Sequence, residues 1–221
     1  MSRGVANWSG APTSTTKRLL SLAAACTALT VVCIAFLDAP FARWLATREA
    51  TGAWDAGMTS IEYAIGIEPW KWIGVTILVT GVIASLALPR FHAAAPAWVF
   101  IASTHLLARN LMLWCKTLTG RLRPTEWLAH HQGATFFREG ISFPSGHVML
   151  VASLVIPIAI AAPRYRALVL AIPFVMCARV AVNAHFLSDV FGGLALTALV
   201  TWVCAAAVSR VPWPTPPAFP R

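Results

Sequence analysis

The chain has 221 residues, of which 58% are hydrophobic and 11% are charged, and its mean hydropathy is +0.70. Soluble domains are about 45–50% apolar and about 25% charged, so this composition excludes an ordinary soluble protein and indicates an integral membrane protein. The net charge of +9 does not predict a nucleic-acid partner, because the basic residues fall in short segments between apolar runs, where membrane topology explains them. The five cysteines lack the spacing of a metal site, and we expect neither structural disulfides nor zinc.

The chain begins with a polar segment, residues 1–18, that we expect to be a cytoplasmic tail. The first apolar run, residues 19–37, contains no charged residue. It exceeds the apolar core of a signal peptide, about 7–15 residues, and matches the roughly 20 residues that span a bilayer. We therefore interpret it as a retained transmembrane helix rather than a cleaved signal peptide.

Further apolar runs are predicted to cross the bilayer at residues 72–88, 93–114, 148–162, 168–182 and 190–208. The sequence thus predicts an all-α, polytopic fold in which six transmembrane helices form one bundle over residues 19–209. Residues 210–221 are proline-rich and carry no fold signal, so we expect a disordered tail.

The segment between the first and second spans, residues 38–71, has an apolar pattern of its own. Apolar side chains cluster in two groups: Phe41, Trp44 and Leu45, then Trp54, Met58, Ile61 and Ile65. The second group recurs at helical spacing, which favours amphipathic helices that lie in the membrane interface. The alternative is a loop with incidental aromatic residues.

The distribution of charge predicts an orientation. If the N-terminus is cytoplasmic, every charged residue in the inner segments is basic: Arg3, Lys17, Arg18, Arg90, Arg164, Arg166, Arg210 and Arg221. The eight acidic residues then all fall on the outer side. Since Lys and Arg concentrate in cytoplasmic loops, this partition predicts that both termini are cytoplasmic.

Polar residues from three separate segments are predicted to meet at the outer face. They follow the third span, begin the fourth, and join the fifth to the sixth: Lys116, Arg121, Arg123, Ser145, His147, Arg179, His185 and Asp189. Polar groups at the ends of membrane helices are candidates for function, and topology alone brings these together.

The cationic members of this group are suited to bind phosphate. Arg123 and Arg179 can each donate two hydrogen bonds to phosphate oxygens, and Lys116 adds a point charge. Residues 144–146, Pro-Ser-Gly, begin a helix whose backbone N–H groups and positive dipole end attract an anion. These residue types predict a phosphate site that needs no metal.

The histidines of the group can supply covalent and acid–base chemistry. His185 and Asp189 are four residues apart and share a helix face if the sixth helix begins near residue 185, in which case the carboxylate can orient one ring nitrogen and leave the other free to attack. His147 can give a proton to a leaving oxygen and later take one from water.

Other polar residues have simpler interpretations. His92, His130 and His131 are treated as ordinary loop histidines, and Arg109 and Arg121 can equally well extend to lipid headgroups. On the third span, a helical stripe is interpreted as the face that lines the site: His105, Arg109, Met112 and Lys116. Within it, Arg109 is either a partner of Asp189 or a headgroup contact.

Three spaced elements carry a family resemblance. They are Lys116-x6-Arg123-Pro124, Pro144-Ser145-Gly146-His147 and Arg179-x5-His185-x3-Asp189. Together they resemble the signature of the type 2 phosphatidic acid phosphatase family, which vanadium haloperoxidases and bacterial acid phosphatases share. The signature covers residues 116–189, and the six-span layout extends the resemblance over residues 19–208. One departure is Ala178, where the family often has serine.

The resemblance implies a role for each matching residue. His185 attacks phosphorus and forms a phosphohistidine, Asp189 holds His185, and His147 protonates the leaving oxygen and then activates water. The phosphoryl oxygens are held by Lys116, Arg123, Ser145, Gly146 and Arg179. The family uses neither a metal nor another cofactor in this reaction.

The predicted function is that of a lipid phosphate phosphatase in a bacterial inner membrane, with its site on the periplasmic face. The candidate substrates are phosphatidic acid, phosphatidylglycerophosphate, polyprenyl diphosphate and the phosphates of lipid A. Three alternatives stay open: a lipid phosphotransferase that uses the same intermediate, a vanadate-dependent haloperoxidase, and a non-enzymatic headgroup binder or transporter. Transport would place ionisable residues at mid-bilayer, whereas these residues lie at one surface.

Overall fold

A computed structural model describes residues 13–47, 56–57, 60, 71–130 and 136–213. These residues form α-helices joined by short turns, and the β-pairing in this part of the chain is one isolated bridge between Arg121 and Phe137. The helices are α1 (Thr13–Val32), α2 (Asp38–Ala46), α3 (Lys71–Ala87), α4 (Ala95–Thr119), α5 (Pro124–His130), α6 (Gly146–Ala161), α7 (Ala171–Ala181) and α8 (Leu187–Val208). The predicted all-α class is confirmed for the described residues.

Three helical stretches in the described part of the chain are long and apolar enough to cross a membrane: Ser14–Ala46, Pro89–Thr119 and Leu187–Val208. Two shorter apolar helices accompany them, Gly74–Ala87 and Gly146–Ala161. These helices fit an integral membrane protein. The fifth predicted span instead comprises the end of a 3-10 helix, Pro163–Leu170, and the 11-residue α7.

The first apolar helix continues beyond its predicted end at residue 37. A π-helical turn, Cys33–Leu37, joins α1 to α2, and the backbone N–H of Asp38 donates to the carbonyl of Cys33. Pro40 has no N–H to donate to the preceding turn, which favours this wider turn. The continuous helix carries Asp38 to the end of the bundle where the candidate site lies. The proposed interfacial residues Trp54, Met58, Ile61 and Ile65 lie outside the described residues.

Helix α8 is the centre of the helix packing, because α1, α4, α6 and α7 all pack against it. Its buried face is rich in small residues, including Gly192, Gly193, Ala195 and Ala198. Small residues let helix backbones approach closely in a membrane, where lipid removes the hydrophobic driving force for association. Close packing around α8 therefore fixes the position of the site at its N-terminal end.

A deep hydrogen bond joins α4 to α6. His105 Nδ1 lies 2.9 Å from Ser153 Oγ, and both side chains are buried. His105 is about 16 Å along the helix axis from Lys116. The prediction that His105 lines the site is therefore wrong: its ring forms an interhelical hydrogen bond because a buried polar group needs a partner.

The packing of α3 against α4 gives a matched pair of tests. A Cβ on Gly81 would overlap the Trp98 ring, whereas a Cβ on Gly74 of the same helix meets no atom within 4 Å. Gly81→Ala should lower the free energy of unfolding by about 1–3 kcal/mol through overpacking. Gly74→Ala should raise it by about 0.5–1 kcal/mol, because alanine loses less backbone entropy in a helix. Unfolding in detergent micelles measures both, and equal effects would contradict the α3–α4 contact.

Candidate active site

The candidate site is assembled at one end of the bundle by two turns. Gly120 ends α4 with φ of 54°, a left-handed conformation that glycine adopts without steric cost, and its N–H donates to the carbonyl of Lys116 at 3.1 Å. The reversed chain then pairs with the segment that leads to α6: Leu122 N–H donates to Phe136 O at 2.8 Å, and Ser142 N–H to Arg121 O at 2.7 Å. The end of α4 is thereby held beside the start of α6.

His185 and Asp189 form the centre of the site. His185 Nδ1 lies 3.4 Å from Asp189 Oδ2, and both side chains are buried. The same oxygen accepts hydrogen bonds from Ser142 Oγ at 2.6 Å and from the Phe186 N–H at 2.9 Å, where it caps the start of α8. Nδ1 therefore faces the carboxylate, which leaves Nε2 as the ring nitrogen available for chemistry.

The protonation state of His185 follows from its burial. Burial lowers the pKa of His185 below the ordinary value of 6.5, and the nearby Asp189 carboxylate opposes this effect without cancelling it. The imidazole is therefore neutral at neutral pH and becomes protonated only in acid. A neutral imidazole has a free electron pair on its outer nitrogen, as a nucleophile requires.

Three cations surround this pair. Lys116, Arg123 and Arg179 are each half-buried and lie within electrostatic range of one another and of His147. The Lys116 ammonium also donates to the carbonyl of Ile141. Like charges gathered at one site repel one another, so the arrangement favours a bound anion.

The start of α6 completes the site. Ser145 is fully buried, its N–H donates to the carbonyl of Asp189 at 3.0 Å, and its hydroxyl has no hydrogen-bond partner among the described residues. A Cβ on Gly146 would lie 3.0 Å from Met112 Sδ and 3.8 Å from Lys116 Cε, so glycine leaves room for these side chains. His147 follows in the first turn, within electrostatic range of His185.

The structure thus brings together the eight residues that the sequence predicts for the site: Lys116, Arg123, Ser145, Gly146, His147, Arg179, His185 and Asp189. Their individual roles stay predictions. The arrangement combines a neutral imidazole, an orienting carboxylate and three cations, which together can bind an oxyanion and attack it.

The interpretation of Arg121 as a headgroup contact is wrong. Its side chain is fully buried, with Nη1 3.0 Å from Asp189 Oδ1 and Nη2 2.5 Å from Asp38 Oδ2. Arg121, rather than Arg109, is thus the arginine that contacts Asp189. The charge of Arg109 acts on His105 instead. A cation this deep persists only when it is paired.

Sequence reasoning also missed Ser142, Ser188 and Asp38. Ser142 and Ser188 are ordinary loop and capping residues in sequence, and nothing marks them as neighbours of a site. Asp38 did carry a signal, since it is an acidic residue at the end of the first apolar run, where an unpaired charge is costly.

Comparison with known proteins identifies the family. Residues 72–213 match the family model of the PAP2 superfamily, a range that contains all three motifs. The chain belongs to the PAP2 superfamily. The family predicted from the three motifs is therefore confirmed.

Two proteins similar to this chain are both named lipid A 1-phosphatase. The protein from Rhizobium etli is 32% identical over 151 residues, which cover 58% of this chain and 62% of the relative. The protein from Rhizobium johnstonii is 35% identical over 130 residues, which cover 49% of each chain. The chain thus spans less than two thirds of the length of these relatives. No solved structure matches it.

The cation cluster predicts that inorganic phosphate binds to the purified PAP2 protein. Arg123→Gln should weaken this binding by about tenfold or more, because a charge-assisted hydrogen bond to phosphate is lost. Calorimetric titration in detergent measures the affinity, and Arg90→Gln is the control because Arg90 lies on the exposed turn Pro89–Ala94 and stacks on Phe91. Equal phosphate affinity in Arg123→Gln and wild type would contradict the site.

Proposed function

We propose that this PAP2 protein is a lipid phosphate phosphatase that hydrolyses its substrate through a phosphohistidine. The observation that carries the proposal is the buried His185–Asp189 pair, at 3.4 Å, within a cluster of three cations. The names of the two relatives support a phosphatase, and among lipid phosphates they favour the 1-phosphate of lipid A. Phosphatidic acid, phosphatidylglycerophosphate and polyprenyl diphosphate are the other candidates.

In the first step, Nε2 of His185 attacks phosphorus and the bond from phosphorus to the lipid oxygen breaks. His147 donates a proton to that oxygen, so the lipid leaves as an alcohol. Asp189 stabilises the positive charge that develops on the attacking imidazole, as an orienting carboxylate does in other nucleophilic sites. In the second step, His147 takes a proton from water and the water oxygen attacks phosphorus. The bond from phosphorus to Nε2 of His185 breaks, so phosphate leaves and the neutral imidazole is restored.

The cations stabilise the transition state. Lys116, Arg123 and Arg179 balance the negative charge on the phosphoryl oxygens, and the N–H groups at the start of α6 add their dipole. The buried hydroxyl of Ser145 can donate to a further oxygen. Fixed cations need no reorganisation during the reaction, and we therefore propose that the enzyme acts without a metal.

The membrane determines how such a substrate reaches the site. We propose a bundle of six spans with both termini in the cytoplasm and the site on the periplasmic face, as the charge distribution predicts. The site lies at the end of apolar helices, so a lipid headgroup can enter sideways while its chains stay in the bilayer. This arrangement favours a lipid over a soluble phosphate ester as substrate.

The decisive experiment measures phosphate release from a panel of purified lipid phosphates with EDTA present. His185→Ala should lower the rate by about a thousandfold or more, because the nucleophile is lost. His92→Ala is the matched control, since His92 lies on a turn at Pro89–Ala94 and bonds to the carbonyl of Leu86. Wild-type turnover that EDTA abolishes would overturn metal independence, and turnover unchanged in His185→Ala would overturn the mechanism. Phosphate that reaches a second lipid rather than water would identify a phosphotransferase.

A further inference from the structure

Behind the proposed catalytic pair lies a second ionic group that the three motifs do not include. Arg121 is fully buried between two carboxylates, Asp38 on one side and Asp189 on the other. Its guanidinium carbon also lies 4.7 Å from the centre of the Phe186 ring and 5.4 Å from that of Phe136. A guanidinium tolerates such apolar surroundings because it stacks on aromatic faces and is weakly hydrated.

Asp38 ties the first apolar helix to the helix that carries Asp189. Its Oδ1 accepts from the Ser188 N–H at 3.1 Å, and its Oδ2 accepts from Ser188 Oγ and from Arg121 Nη2, both at 2.5 Å. Arg121 Nη1 donates to Ser188 Oγ, also at 2.5 Å. Ser188 directly precedes Asp189, so this network ends at the carboxylate that faces His185.

The two oxygens of Asp189 have different partners. Oδ1 faces Arg121 at 3.0 Å, whereas Oδ2 faces Ser142, the Phe186 N–H and His185. Arg121 meets only Oδ1, through a charge contact, and so complements the two hydrogen bonds that hold Oδ2 beside the imidazole. Without Arg121, the carboxylate would be held only through Oδ2, by Ser142 and the Phe186 N–H.

We propose that Asp38 and Arg121 are positioning residues, which hold Asp189 in the orientation that His185 needs and balance the charge beside it. This inference rests on the proposed function, because it assigns a role in the same reaction. Their effect on the reaction comes from the orientation of Asp189 and from the charge that they place behind His185.

The charge on this group predicts how each variant behaves. Asp38, Arg121 and Asp189 together carry a net charge of about −1 behind His185. The other charged and titratable groups that act on His185 are Lys116 from α4, Arg179 from α7 and His147 from α6, and Arg123 lies beside His147. These groups are the same in every variant. Removing Arg121 makes the environment more negative and favours the imidazolium, while removing the charge of Asp38 does the opposite.

The experiment measures kcat/KM for lipid phosphate hydrolysis against pH in detergent. Because His185 must be neutral to attack, protonation of its imidazole lowers kcat/KM at low pH and sets the acid limb of the profile. The ionisation of the substrate contributes equally in every variant. Arg121→Gln should move this limb up by about one pH unit, and Asp38→Asn should move it down by about the same amount. The double variant Asp38→Asn/Arg121→Gln should return it close to wild type.

Arg164→Gln is the control, because Arg164 lies on the turn Pro163–Leu170 and stacks on Tyr165. Its profile should match wild type. Arg121→Gln leaves two buried carboxylates without their cation, which can prevent folding. If this variant does not fold, Asp38→Asn and the double variant test the positioning role. Thermal unfolding in detergent identifies variants that fold.

Opposite shifts of the acid limb would support the positioning role. Folded Asp38→Asn protein with an unshifted limb would overturn it, and so would a double variant that stays shifted. Wild-type protein that releases no phosphate from any lipid would instead overturn the proposed function, so the two failures are distinguishable.

Discussion

A guanidinium buried away from water must be neutralised where it lies, and this constraint organises the site. Arg121 meets the requirement with Asp38 from the first apolar helix and Asp189 from the last. Because the desolvation cost of each ion is several kcal/mol, the three groups remain stable only together. The result is a fixed joint between α8 and the helical stretch formed by α1 and α2, in which α1 makes the most extensive contact with α8.

The same joint explains how the proposed nucleophile, His185, is held in a fixed orientation at the end of a membrane helix. Asp189 caps the N-terminus of α8 through the Phe186 N–H, so its carboxylate already serves the helix. Arg121 occupies the oxygen that the cap leaves over, and the shared oxygen is presented to His185. The helix cap and the proposed catalytic contact thus share Oδ2, while Oδ1 faces Arg121. The small residues on the buried face of α8 let the neighbouring helices pack closely against it.

Electrostatics separates the site into two zones. In front of His185, Lys116, Arg123 and Arg179 create a positive field suited to a phosphate group. Behind it, two carboxylates outweigh one guanidinium. An imidazole between these zones is kept neutral by burial, yet has an anion ready to stabilise positive charge as it attacks phosphorus. The proposed reaction needs this gradient, because the nucleophile gains charge as the phosphate loses its bond to the lipid.

Much of this could be derived from the sequence because the relevant physics is local or set by topology. The apolar runs predicted an α-helical membrane protein, and the spacing of residues 116–189 identified the PAP2 family and the residues that gather at one site. His185 lies in the turn before α8 rather than on the helix, and it meets Asp189 because the chain turns at the Phe186 N-cap. The depth of His105 and the burial of Arg121 were not derivable in this way, since both depend on which neighbouring helix supplies a partner.

The sequence by itself determined the class of fold, the family and the set of polar residues that must find one another. Tertiary structure alone decided which of two arginines pairs with Asp189, and that Asp38 joins them from a position 150 residues away from Ser188 in the chain. The physical reason is that periodicity and motif spacing describe neighbours within one helix or turn. Ion pairs between distant helices depend instead on the packing of the whole bundle, which no short pattern encodes.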